Sequence, residues 1–175
     1  MRILGDVGGR AARDVVPALL RVARREGALR PEAAEIADLL AAWDGASGPQ
    51  SRGAAAYHLL MEHLCEDLFR GPLGEALYQR YRALPGVRPG AVVASIVMAA
   101  DRAGASGGWT DTEIVAKAVR EGLRQTWVSL SYRLGAHRPG WRWARLHSLS
   151  FERFVGIGRS AAPGLPQVGI GGDDG

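Results

Sequence analysis

The stretch TDTEIVAKAVREGLRQTWVSLSYRL, residues 110–134, sets the fold class. Ile114, Ala118, Val119, Leu123, Trp127, Leu130 and Leu134 recur at the three- and four-residue steps that line one side of an α-helix. Thr110 and Glu113 stand ahead of them with the spacing of a capping box, in which a hydroxyl and a carboxylate satisfy the first exposed N–H groups of the helix. The pattern predicts a helix over 110–134 with that apolar set turned toward a core.

The segments on the N-terminal side repeat the theme. Residues 91–103 are apolar and short, open to helix or buried strand, with Asp101 and Arg102 favouring helix. Leu73 to Leu84 reads as a helix, set off by Gly71 and Pro72 before it and by a turn-rich link through Pro85, Gly86, Pro89 and Gly90. Ser51 is a plausible N-cap for a helix reaching Phe69, with Ala55, Leu59, Leu60, Leu64 and Leu68 on its apolar side. Pro31 suits the first turn of another, where a missing N–H costs nothing. That helix carries Ala34, Ile36, Leu39, Leu40 and Trp43 and stops at Asp44 and Gly45. From Gly9 to Glu26, Val15, Val16, Leu19, Leu20 and Val22 give helical spacing around Pro17, which either kinks that helix or starts a second one. Gly27 fits a helix stop.

Beyond Gly135 the periodicity disappears. The expected fold class is therefore mainly α with an irregular C-terminal tail rich in Gly, Pro and Trp. Residues 1–138 form the helical segment and 139–175 the tail, both parts of one larger domain. Irregular runs beyond about 12–15 residues are uncommon inside compact domains. The tail is expected to lead toward a strand that lies past Gly175.

Composition narrows the function classes. The chain has 175 residues, 47% hydrophobic and 23% charged, enough for a real core and too apolar for wholesale disorder. The net charge of +4 rests almost wholly on scattered arginines, with Lys117 the only lysine. This pattern favours solvated charge over a phosphate-binding stripe, so no nucleic-acid partner is expected. A single cysteine, Cys65, excludes an internal disulfide. No run approaches the ~18 apolar residues of a membrane span, and no membrane partner is expected. The N-terminus lacks the apolar run of a signal peptide.

Candidate chemistry is sparse. His58, His63, Cys65, Glu66 and Asp67 cluster on one expected helix, but His58 and His63 are separated by about 500° of helical rotation and face apart. Neither a paired CxxC nor HExxH occurs, so no metal ligands are expected. The Gly5–Gly9 stretch lacks the lysine end of a phosphate loop, and no G-x-S-x-G elbow is present. Trp141, Trp143 and His147, followed by Phe151 and then by Gly171, Gly172 and Asp173, form a more specific series. On residue type alone the two Trp read as core anchors and His147 as a structural histidine.

With these residues in place, the chain resembles the penicillin amidase family of N-terminal-nucleophile hydrolases. That family carries a W-x-W-G-x-x-H stretch, then a phenylalanine, then a G-G-D turn. Trp141, Trp143, His147, Phe151, Gly171, Gly172 and Asp173 fit that order. Leu4, Gly5 and Asp6 resemble the family's L-Q-x-D segment, and Leu39, Leu40, Trp43, Asp44 and Gly45 its L-x-x-W-D-G helix end. Ala144 stands where the family has glycine, Gly5 where it has glutamine, and Arg153 with Phe154 where it has histidine and proline.

The resemblance implies an αββα hydrolase fold of which this chain is an internal segment of the large chain. It also implies cleavage of a side-chain amide by a serine at a processed chain start, whose own α-amino group is the base. On that reading the serine, the oxyanion-binding asparagine and a calcium site lie upstream of Met1. The segment itself then holds no catalytic, cofactor or metal residue. Its partners are the remainder of its own enzyme and, in the intact protein, a small-molecule amide, with a periplasmic or secreted location. The alternative is a standalone helical binding or interaction module.

Overall fold

The computed structural model describes residues 6–86, 88–103 and 108–146. Among them lie five α-helices: α1 (Asp6–Arg24), α2 (Pro31–Ala41), α3 (Arg52–Ala83), α4 (Pro89–Ala103) and α5 (Thr112–Leu134). Two short 3₁₀ turns, Gly108–Thr110 and Arg138–Gly140, flank α5, residues 143–146 are again helical, and no strand occurs among the described residues. The ambiguous apolar run is thus the helix α4.

Helix α5 is the hub, packing against α1, α2 and α3. Its N-cap is Asp111, not Thr110: the carboxylate accepts from the N–H groups of Glu113 and Ile114 at 3.0 and 3.2 Å, while Thr110 ends the preceding 3₁₀ turn. Its buried face is also rotated from the expected stripe. Val115, Ala116, Val119, Gly122, Leu123, Thr126, Leu130 and Leu134 are buried, whereas Ile114 is 56% exposed. Sequence favoured the large Ile114. The packing instead uses Gly122, where an added Cβ would lie 3.0 Å from Leu60 and 3.3 Å from Leu64, so α3 and α5 meet at close range. Thr126 is accommodated there by donating its hydroxyl to the Gly122 carbonyl at 2.8 Å.

Helix α2 begins at Pro31 as expected but buries Ala33, Ile36, Ala37 and Leu40, leaving Ala34 and Leu39 half-buried. Ser51 caps α3 by accepting from the Ala54 N–H at 3.0 Å. The expected break at Gly71 and Pro72 falls slightly later. α3 runs past both and kinks at Gly74 (φ 71°, ψ 161°), a conformation that only glycine adopts cheaply. α1 runs through Pro17, whose ring is exposed and whose missing N–H leaves the Arg13 carbonyl without its usual partner.

Arginines finish the helix ends. Arg120 of α5 donates to the carbonyls of Ala23, Gly27 and Ala28 at 2.8, 3.1 and 2.6 Å, satisfying the C-terminus of α1. Arg25 donates to Ala100 and Asp101 near the end of α4, and Arg21 pairs with the Asp101 carboxylate at 2.6 Å. The scattered basic residues, expected to be solvated charge, include several with this interhelical capping role.

Candidate functional site

Four of the family-like motif residues, Trp43, Asp44, Trp141 and Trp143, meet at one corner of the helical array. Trp43 follows the end of α2, and its side chain lies against Gly53 in the first turn of α3. A Cβ on Gly53 would sit 2.2 Å from the Trp43 Cγ, so no other residue fits without moving the indole. The Trp43 Nε1–H donates to the Ala46 carbonyl at 2.9 Å. Asp44 shapes the same turn: its Oδ1 accepts from the Ala46 N–H at 2.9 Å and its carbonyl accepts from Arg13 Nε at 2.8 Å. Gly45 then takes φ 83°.

The second motif docks on this turn from across the sequence. The N–H groups of Trp143 and Ala144 donate to the carbonyls of Ser51 and Pro49 at 3.1 and 2.9 Å. Trp143 stacks on His58 (centroids 4.3 Å, interplanar angle 21°), His58 meets Tyr57 edge-on at 5.6 Å, and Tyr57 meets Trp43 at 5.2 Å. Four rings from the turn after α2, from α3 and from the chain after α5 thus form a continuous ladder. Burial raises the Tyr57 pKa, so its phenol stays neutral.

Trp141, two residues before Trp143, is part of the buried core. It is 1% exposed, and its Nε1–H donates to the Gly135 carbonyl at 2.8 Å. The Arg138 guanidinium lies over both Trp141 and Trp127, 4.4 and 5.0 Å from the ring centroids, and pairs with Glu35. The Trp127 Nε1–H donates to the same carboxylate at 2.7 Å. Burial alone would raise the Glu35 pKa. The bonds from Arg138 and Trp127, with the charges of Arg138 and Arg52, bring it below its ordinary value. An open groove of about 630 Å³ runs along the corner, lined by Leu39, Trp43, Asp44, Arg52, Pro139 and Arg142 among others.

Of the residues singled out in the sequence, Trp43, Asp44, Trp141 and Trp143 are therefore gathered into one region. Asp6 is the first residue of α1. His147, Phe151, Gly171, Gly172 and Asp173 lie outside the described residues.

The His/Cys/acid cluster on α3 disperses. His58 joins the ladder, whereas the His63 Nε2 lies 3.0 Å from the Ser129 Oγ of α5. Cys65 is buried, which pushes its thiol pKa up despite a hydrogen bond with Tyr78. Burial raises Asp67, with Glu121 and Glu66 adding to the effect. Among the described residues no group of three or more His, Cys, Asp or Glu is placed to hold a metal ion. Burial lowers the His63 pKa, while Glu62 and Glu66 act on it only through their charge. Among the described residues it therefore has the Ser129 hydroxyl across the helix interface but no hydrogen-bonded carboxylate to orient it as a base. No sequence signal links His63 to Ser129 across 66 positions, and only the docked helices bring them together.

Comparison with known proteins supplies the class, that of hydrolases acting on amides. The sequence profile of penicillin amidase matches residues 1–175, the whole chain, and the chain belongs to the penicillin amidase family. No curated protein and no solved structure matches it. No helix among the described residues is long and apolar enough to cross a membrane.

Proposed function

We propose that this chain is a bracing segment of an acylase that cleaves a side-chain amide C–N bond, with the attacking nucleophile supplied from outside these residues. The observation that carries the reading is the use made of the motif tryptophans. Trp141 is spent on burial, Trp143 on stacking against His58, and Trp43 on covering Gly53. The indole N–H groups of Trp43 and Trp141 donate to main-chain carbonyls, those of Ala46 and Gly135. Such groups hold elements in register; they neither attack a carbonyl nor stabilise an oxyanion. In the intact enzyme the helices would brace the sheets of an αββα hydrolase and help wall the acyl pocket.

The choice among penicillins, other side-chain amides and acyl-homoserine lactones belongs to pocket residues beyond this corner. The purified 175-residue chain is expected to show no turnover of a chromogenic phenylacetyl amide. Hydrolysis above the buffer rate that is lost in Ser129→Ala would place a nucleophile here and overturn the proposal. The other reading, a standalone helical interaction module, is favoured by the extent of the core, which draws on all five helices. Cooperative unfolding of a monomer that binds no other part of the enzyme would support it instead.

A further inference from the structure

We propose that the pocket between the α1–α2 turn and the first half of α5 is a binding site for a small carboxylate with an apolar body. The ligand class follows from the lining alone and is independent of the amide chemistry above.

The pocket measures about 400 Å³, within the range of small-molecule sites. The turn contributes Glu26, Leu29 and Arg30, with Ala33 of α2 beside them. Helix α5 contributes Lys117, Arg120, Glu121 and Arg124, which the three- and four-residue steps of a helix bring to one side. The lining carries four cations and two carboxylates, a surplus of positive charge.

The charges are not equivalent. Arg124 and Glu121 neutralise each other, with Arg124 Nε donating to both carboxylate oxygens at 3.1 and 3.0 Å. Arg120 gives its terminal N–H groups to the carbonyls of Ala23, Gly27 and Ala28, which are neutral acceptors. Its guanidinium is thereby fixed in place while its charge stays uncompensated, so an anion meets a cation that has already lost its rotamer freedom. Among the described residues the side chains of Arg30 and Lys117 make no hydrogen bond or ion pair, and Arg30 acts on Glu121 only through its charge. Against these three cations stands Glu26, with Glu32 acting on Arg124 from outside the lining. A single carboxylate offsets part of the surplus. The floor selects its body. Leu29 packs against the core and Ala33 is buried, so an ion without a hydrocarbon part, such as inorganic phosphate, leaves apolar surface uncovered.

An amide NMR titration of the full chain tests this, with benzoate as the probe. The amides of Leu29, Ala33, Lys117 and Arg120 should shift together and saturate, with a Kd on the order of a few millimolar for a ligand of this size. Benzamide keeps the shape and drops the charge; acetate keeps the charge and drops the ring. Each should bind at least about fivefold more weakly than benzoate. Lys117→Ala should weaken benzoate about threefold, and the pair Arg30→Ala with Lys117→Ala about tenfold. Both side chains are exposed, so the fold should be kept. Absence of saturable shifts at these amides would overturn the proposal, as would equal affinity for benzoate and benzamide or an affinity unchanged by the double substitution. Phosphate or a polyglutamate peptide binding more tightly than benzoate would overturn it as well, giving the pocket to a bare ion or to an acidic polypeptide. If the double variant does not fold, the comparison of benzoate with benzamide on the wild type decides.

Discussion

Replacing Gly53 by alanine tests how tightly the motif corner is built. The added methyl would lie 2.2, 2.4 and 2.5 Å from Cγ, Cβ and Cδ1 of Trp43, all close to the indole's attachment rather than at a flexible tip. The ring cannot swing clear by a small rotation, so the indole must move as a body or α2 must back away from α3. Overpacking of this kind costs about 1–3 kcal/mol. Moving the indole also strains the 2.9 Å bond from Trp43 to Ala46, worth about 1 kcal/mol. The sum is about 2–4 kcal/mol. At about 2–4 °C per kcal/mol for a chain of this size, Tm should fall by roughly 5–15 °C. Urea titration followed by circular dichroism and by Trp fluorescence reads both the loss and any local loosening. Gly48→Ala is the control, because a Cβ there meets nothing within 4 Å. A Gly53→Ala midpoint within 0.5 kcal/mol (roughly the scatter of surface substitutions) of wild type would refute the packing argument.

Two further outcomes are expected. Arg120→Ala should destabilise by about 1.5–3 kcal/mol in urea, because it strips donors from the Ala23, Gly27 and Ala28 carbonyls; a loss indistinguishable from that of Arg80→Ala would contradict the capping role. Stability should also decline as pH falls from 7.5 toward 5. His63 has a folded pKa below 6.5, so its contribution is intact above the unfolded value, falls as pH drops through 6.5, and is lost once pH passes the folded value. His63→Gln should flatten that part of the urea-midpoint profile. The raised Asp67 works with the opposite sign at lower pH, so an unchanged slope in His63→Gln would rule out His63 as its source.

Most of the helix set is readable from spacing because apolar residues must share a face, and Pro31, Ser51 and Gly27 mark ends for stated stereochemical reasons. The errors came where tertiary contact outvoted residue type. Ile114 outranks Gly122 on any hydrophobic scale, yet the close α3–α5 approach buries the glycine and leaves the isoleucine outside. Thr110 and Asp111 are both good caps, and the preceding 3₁₀ turn decides between them. Trp141 reads as a core anchor from its type, and it is 1% exposed. What no local pattern encodes is the pairing of Trp143 with His58, of Arg138 with Glu35, or of His63 with Ser129. Each joins residues 66 to 103 positions apart.

The arginine cap on α1 has a consequence for the order in which the chain matures on the ribosome. Arg120 lies 97 positions after Ala23, whose carbonyl it completes. At a synthesis rate of about 5–20 residues per second, the first helix waits roughly 5–20 s before that side chain has been made. During that interval the carbonyls of Ala23, Gly27 and Ala28 lack this donor, so the final turn of the helix should be more frayed in nascent chains and should tighten when α5 arrives.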